Sequence, residues 1–190
     1  SHFRHDHTEK LLVGEPLLDP VIIEEVGDVS GKSLIHLLCH IGTDTLSWSL
    51  LGANVTGVDI SDVSLKYARQ LASEMGQDAR FIESDIMEYL PHARPEYDIV
   101  FSSIGVLCWI PDLQRYADTA RALLKDGGFY YLYDGHPFRN TDTAEYGPDA
   151  SYFRSERWEF KNLGDYIDPN LKIPGSSYEW QWTLGEIVTA

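Results

Sequence analysis

Residues 34–59, LIHLLCHIGTDTLSWSLLGANVTGVD, decide the fold. Ser33 to Leu38 is apolar enough for a strand covered on both faces, and Cys39 to Gly42 makes a tight turn. Thr43 and Asp44 then open a helix, and Asn54 to Val58 forms a second strand closed by Asp59. Such a βαβ unit builds a ligand site. Its turn presents backbone N–H groups and a helix N-terminus, which attract a carboxylate or phosphate. An acid at the carboxyl end of the second strand can accept both hydroxyls of a ribose. The pattern asks for an adenosyl group.

A dinucleotide would need G-x-G-x-x-G, because a pyrophosphate lies directly against the backbone. Here Leu38, Cys39, His40 and Ile41 precede a single glycine, Gly42, which disfavours a nicotinamide-dependent oxidoreductase. With TDTLSWSLLGA and VTGVDIS, the chain instead resembles the class I S-adenosylmethionine-dependent methyltransferases. Their first motif is an acid, a spacer and G-x-G-x-G, followed by an acid ending the second strand. Aligned on Gly42, the leading acid falls at His36 and the first two glycines at Leu38 and His40. HLLCHIGTDTLSW, GVLCWIPDL and YLYDGHPF resemble a bacterial branch in which this variant turn is usual.

The resemblance implies an α/β, Rossmann-like, doubly wound and mostly parallel sheet with S-adenosylmethionine as cofactor and S-adenosylhomocysteine as product. The implied cofactor contacts are Leu38, Cys39, His40, Gly42, Thr43, Asp44 and Thr45 around the first turn, and Asp59, Ile60 and Ser61 after the second strand. Ser84, Asp85 and Ile86 follow the third strand, ARFIE, and Ser102, Ser103 and Ile104, expected to line the sulfonium, end the fourth, YDIVFS. In the family an acid at the position of Asp85 accepts from the adenine amino group. The other reading of Asp85 is an N-cap of the short MEYL helix.

The 190 residues form one domain with an expected core at 33–134, N-terminal cap or lid helices in 1–32, and an aromatic insertion at 135–177. A net charge of −15, from 15 basic and 30 acidic residues, disfavours nucleic acid and favours a small-molecule methyl acceptor. No run approaches the roughly 20 apolar residues of a membrane span and no signal-like segment opens the chain, so a cytoplasmic protein is expected. Cys39 and Cys108 make no disulfide framework and read as free thiols that approach each other near the cofactor; the histidines at 2, 5 and 7 lack partners for a metal site. Phe3 is a lid residue by analogy with the family.

Asp19 and Pro20 begin a short helix, VIIEEV, expected to pack on the sheet edge. Leu65, Ala68, Leu71, Ala72 and Met75 mark the helix after the second strand. Leu113, Tyr116, Ala120 and Leu123 mark another, ended by Lys125 to Gly128 before the fifth strand, FYYLYD. The insertion, with Tyr146, Tyr152, Phe153, Trp158, Phe160 and Tyr166, shows no helical or strand period, and reads either as an acceptor-binding lid or as a cover for the sheet or a subunit interface. YEWQWT at 178–183 alternates like an additional strand, and Thr183 to Glu186 is a capping box whose helix stops at Ala190. Against the resembled fold the chain reads as lacking its C-terminal hairpin, which would expose a sheet edge and favour a homodimer.

Methyl transfer is an in-line displacement that needs alignment first and a base only for some acceptors. His136 is the candidate base, with a structural hydrogen bond before Pro137 as its other reading. Tyr133 and Asp134 are weaker candidates, and His40 orients the turn. Trp109, Tyr133, His136 and Tyr146 are the candidates for an acceptor pocket, Trp109 alternatively packing between loop and helix. The expected function is methyl transfer from S-adenosylmethionine to a small molecule, with a cofactor-binding protein without turnover as the alternative.

Overall fold

The computed structural model describes residues 8–141, 151–153, 157–161 and 175–190; Phe3, Tyr146 and Tyr166 lie outside the described residues. Two short helices, α1 (Thr8–Leu12) and α2 (Pro20–Val26), precede the alternating core. The core runs β1 (Ser33–Leu37), α3 (Thr43–Leu50), β2 (Asn54–Asp59), α4 (Asp62–Met75), β3 (Ala79–Glu83), β4 (Tyr97–Ser103), α5 (Leu113–Leu123) and β5 (Leu124–Tyr133). The five strands lie in the order β3-β2-β1-β4-β5, every neighbouring pair parallel. The order reverses beside β1, so a crevice opens between the carboxyl ends of β1 and β4, where such sheets place ligands.

The helices form where the sequence supplies both caps and a stripe. Ser61 accepts from the Ser64 N–H at 3.1 Å at the start of α4, Gly76 ends it in the left-handed conformation, and Leu65, Ala68 and Ala72 are buried along one face. Asp112 caps α5, which buries Leu113, Tyr116, Ala120 and Leu123. Strand alternation divides the core. Leu34 and Phe101 pack with Trp48 of α3 and with Ile22 and Val26 of α2, while Ile35, Leu37 and Val100 pack with α5. The helix α2 therefore covers a face of the sheet rather than its edge, because its two buried side chains meet β1 and β4. On the far side of β2, Gly57 lets Cys39 and Phe81 close in; a Cβ there would meet the Cys39 Sγ at 2.7 Å.

Lys125 to Gly128, expected as a turn, belong to β5. The register passes from Tyr97 opposite Leu124 to Ile99 opposite Phe129, and the extra residues bulge around Asp98. Asp98 Oδ2 accepts from the Ser33 N–H (2.8 Å), the Ser33 hydroxyl (2.6 Å) and Lys125 Nζ (3.0 Å). The Ser33 hydrogen bonds first, and Lys125 second, hold the Asp98 carboxyl well below the usual carboxylate range. A carboxyl depressed in the folded state adds stability above its unfolded value and loses it as the pH falls through the folded one. Asp98→Asn should therefore flatten the acid limb of the stability curve, read as urea midpoints at neutral pH and at about pH 3. An acid limb as steep as that of the parent would contradict the assignment.

Beyond β5, part of the aromatic insertion is regular after all. β6 (Trp158–Lys161) and β7 (Ser176–Glu179) pair antiparallel as a separate two-stranded sheet, with Trp158 opposite Glu179. Only Tyr178 and Glu179 of YEWQWT are in a strand. Trp180 to Trp182 leave it because the Trp180 N–H donates to the Cys108 carbonyl (2.8 Å) and Trp182 Nε1 donates to the carbonyls of Leu107 (3.2 Å) and Ile110 (3.0 Å). The capping box opens α6 (Leu184–Thr189). No helix among the described residues is long and apolar enough to cross a membrane.

Candidate functional site

The first turn takes an unusual backbone path. Leu38, His40 and Gly42 have φ of 54°, 51° and 76°, the left-handed region, at alternate positions. Left-handed backbone costs a residue with a Cβ roughly 1–2 kcal/mol, so something must hold Leu38 and His40 there. The Cys39 N–H donates to the Val58 carbonyl (2.9 Å), and the His40 N–H donates to Asp59 Oδ2 (2.7 Å). Gly42 is required for a second reason: a Cβ on it would come within 2.9 Å of both Ala68 and Phe81. His40→Gly should leave stability unchanged or raise it, whereas His40→Val, β-branched, should lower it by about 1–2 kcal/mol. Equal denaturation midpoints for the two variants would contradict a left-handed His40.

Asp59 is the hub. Besides His40, its Oδ1 accepts from the Ser61 N–H (2.9 Å), and its own carbonyl accepts from the Ser84 N–H (2.9 Å). A carboxylate offers about four lone-pair sites, so two remain on this half-buried side chain for a ligand. Ile60 and Ile104, 68% and 57% exposed at the ends of β2 and β4, add apolar surface beside it. Asp85 caps the short turn Ile86–Glu88, its Oδ1 accepting from the Met87 N–H at 2.8 Å, while the side chain stays exposed. Ile86 is buried below it.

Several of the expected contact residues direct their side chains into the interior. Thr45, Ser102 and Ser103 are buried, and their hydroxyls serve the interior. Ser102 Oγ bonds the Tyr116 hydroxyl at 2.7 Å, and burial with Tyr130 alongside pushes that phenol well above its ordinary value. Ser103 donates to Asp44 Oδ2 (2.7 Å) and accepts from His36 Nε2 (3.2 Å), which leaves His36 Nδ1 to accept from the Thr45 hydroxyl (2.9 Å) in the neutral ring. This chain of Thr45, His36, Ser103 and Asp44 runs beneath the turn, and residue-by-residue reading missed it. The Cys39 thiol is pushed up by burial and then by Asp59, and Cys39 and Cys108 are both free.

A second site lies past β4 and β5. A pocket of about 160 Å³ is bounded by Gly105, Leu107 and Cys108 on one side, Asp134 to Pro137 and Arg139 on another, and Trp158, Glu179, Trp180 and Trp182 on the third. Asp134 builds its floor: Oδ1 accepts from the N–H groups of Gly105 and Gly135 (2.7 Å each), and Oδ2 from those of Val106 (3.0 Å) and Leu107 (2.9 Å). Of the expected pocket residues that are described, His136 lines it. Its Nδ1 accepts from the Phe138 N–H (3.1 Å), a structural hydrogen bond across Pro137 that puts the neutral ring's proton on Nε2. Tyr133 points to the opposite face, where its hydroxyl bonds Asp19 (3.2 Å). Trp109 is absent from the lining, and Tyr146 lies outside the described residues. The alternation of YEWQWT, which sets Trp180 and Trp182 two residues apart, was the signal for two of the walls, and Trp158 stood among the aromatics of the insertion read as an acceptor-binding lid; the pairing of Trp158 with Glu179 had no local signal.

A parallel sheet with an acid closing β2 and a switch point beside β1 defines a Rossmann-like nucleoside-binding domain. Residues 35–128 match the family model described as a methyltransferase domain. The ubiquinone biosynthesis O-methyltransferase of Nitrosomonas europaea is 32% identical over 117 residues, which cover 62% of this chain and 49% of that protein. Its namesake from Bordetella pertussis is 31% identical over 111 residues, 58% of this chain and 46% of that protein. The chain thus spans about half the length of the curated relatives it matches. A solved S-adenosylmethionine-dependent methyltransferase from Clostridium acetobutylicum superposes with a TM-score of 0.65 at 16% identity, covering 98% of this chain and 83% of that one. Another, from Mesorhizobium loti, gives 0.58 at 23% identity, covering 65% and 55%. At such identities these structures speak for the fold alone. The family model and the curated relatives support a methyltransferase domain, and the solved structures support the Rossmann-like fold that goes with it.

Proposed function

We propose that the chain binds S-adenosylmethionine across the carboxyl ends of β1, β2 and β3 and transfers its methyl group to a small molecule seated in the pocket beyond β4 and β5. The observation that carries this reading is the adjacency of the two sites along one sheet edge, with the switch point between them. When bound, the cofactor supplies a methyl group on a sulfonium: the acceptor's lone pair forms the new bond while the sulfur–carbon pair stays on sulfur.

The chain's own residues bind and align. Asp59 braces the turn through His40 and Ser61, and its two remaining lone-pair sites would receive the ribose hydroxyls. Asp85 would offer its other oxygen to the adenine amino group, and the exposed Ile60 and Ile104 would add apolar contact to the cofactor. Asp134 fixes the loop 105–107 between the two sites. Orientation of this kind supplies about 7–11 kcal/mol of a bimolecular barrier. Asp134 is engaged by four N–H groups and His136 Nδ1 by one, so in this reading both serve to hold the loops of the pocket in place. The acidic chain favours a small-molecule acceptor over a phosphate backbone.

Incubation with S-adenosylmethionine and a panel of small amines, phenols and thiols tests the proposal by mass spectrometry. Acceptor-dependent S-adenosylhomocysteine formation that Asp59→Ala removes is the expected result. Cofactor binding with no product from any acceptor would favour a binding protein without turnover.

A further inference from the structure

The pocket beyond β4 and β5 is unusual in its walls. Trp158, Trp180 and Trp182 all line it, three of the five tryptophans of the chain. Two of them are fixed by the backbone around them. Trp182 is pinned through Nε1 to the Leu107 and Ile110 carbonyls, and Trp180 is tied through its own N–H to Cys108. Trp158 stands directly opposite Glu179 in the β6–β7 ladder, so indole and carboxylate share one face of the ribbon about 4.5–5.5 Å apart at their Cβ atoms.

The charges in the lining are unequal in what they leave open. Asp134 has both oxygens engaged by backbone N–H groups. The Cys108 thiol is pushed up to about 12, by burial first and then by Glu179 and Asp134, and is neutral at physiological pH. Glu179 is half-buried, and no described residue donates a hydrogen bond to it. Desolvation raises its carboxyl above the ordinary value, the mark of an anion whose compensating charge no described residue supplies. Arg139 also lines the pocket and makes its own interaction.

We infer that the acceptor carries a cationic nitrogen, and that Glu179 with the indole faces of Trp158, Trp180 and Trp182 recognises it. This rests on the methyltransferase reading of the neighbouring site. A cation over an indole gains from the ring quadrupole, most of all where water is excluded, and a carboxylate beside the rings adds direct charge pairing. The volume sets the size of the recognised group. A cavity of about 150 Å³ holds one benzene ring, so about 160 Å³ admits a single ring or a substituted ammonium head. The net charge of −15 draws cations toward the protein at long range. Recognition is the role assigned to Glu179; the cationic nitrogen anchors the molecule, whichever of its atoms takes the methyl group.

Three probes of one shape and different charge test this: benzylamine, benzyl alcohol and benzoate, titrated against the whole chain with tryptophan fluorescence as readout, in the parent and in Glu179→Gln. Benzylamine, protonated at neutral pH, should bind saturably and at least about tenfold tighter than benzyl alcohol, with benzoate weakest. Glu179→Gln should erase that preference. Equal affinity for the alcohol, preference for benzoate, no saturable benzylamine binding, or a preference that survives Glu179→Gln would each overturn the inference. S-adenosylhomocysteine binding in the same samples separates the two readings. If it binds normally while the amine preference is absent, only the cation site falls. If it fails to bind while the preference stands, the methyltransferase reading falls and the cation site remains.

Discussion

Asp59→Ala should weaken S-adenosylhomocysteine binding by on the order of 10- to 150-fold, the equivalent of about 1.5–3 kcal/mol for hydrogen bonds to a charged group. Two losses combine. The ribose loses its acceptor, and the His40 and Ser61 N–H groups lose the oxygens that hold the left-handed turn in register with the end of β2. Asp59→Asn separates them, since one amide oxygen can still accept from a backbone N–H while the charge is gone. Calorimetry should rank the parent above Asn and Asn above Ala. Parent-like affinity in the alanine variant would remove Asp59 from the site.

Ser103→Ala should be the most damaging of the single hydroxyl removals in stability. The Ser103 hydroxyl donates to Asp44, which is 2% exposed, and receives the His36 ring. Its removal strips a hydrogen bond from a buried carboxylate and leaves an imidazole N–H without its acceptor. Burying a charge with a partner missing costs more than losing a neutral hydrogen bond. About 3 kcal/mol is expected, which in a chain of this size lowers the melting temperature by roughly 6–12 °C. Ser102→Ala, next along the strand but facing Tyr116 on the opposite side, removes one neutral hydrogen bond and should cost about 1 kcal/mol. Equal losses would contradict a charged end to the network.

The fold was legible because its signals are local. The caps at Asp19, Ser61 and Asp112, the stripes of α4 and α5 and the apolar β1 and β4 each act within a few residues, and the alternation of strands and helices then leaves few topologies. The left-handed turn was legible only as a departure. Nothing about Leu or His favours φ near +50°, and the conformation is imposed by the β2 carbonyl and the Asp59 carboxylate, which arrive from about twenty residues away. The His36 network was hidden for the same reason, since its members come from β1, α3 and β4. The period of two in β5 sets Tyr131 and Tyr133 on the α2 face, away from Tyr130 and Leu132, which is why the Tyr133 hydroxyl meets Asp19. The tryptophan pocket joins residues from 105 to 187, contributed by loops and strands far apart in the chain, so no local pattern brings its two carboxylates, Asp134 and Glu179, together.

The central claim is that the edge formed by Leu38 to Gly42, Asp59 and Asp85 holds an adenosyl cofactor in spite of the missing glycines. Isothermal titration of the chain with S-adenosylhomocysteine, with NAD as the control, tests it most directly. One saturable site for S-adenosylhomocysteine, weakened by Asp59→Ala, and no heat from NAD is the expected result, since the turn lacks the glycines that let a pyrophosphate lie against the backbone. Binding of NAD in preference to S-adenosylhomocysteine, or binding of neither, would contradict it.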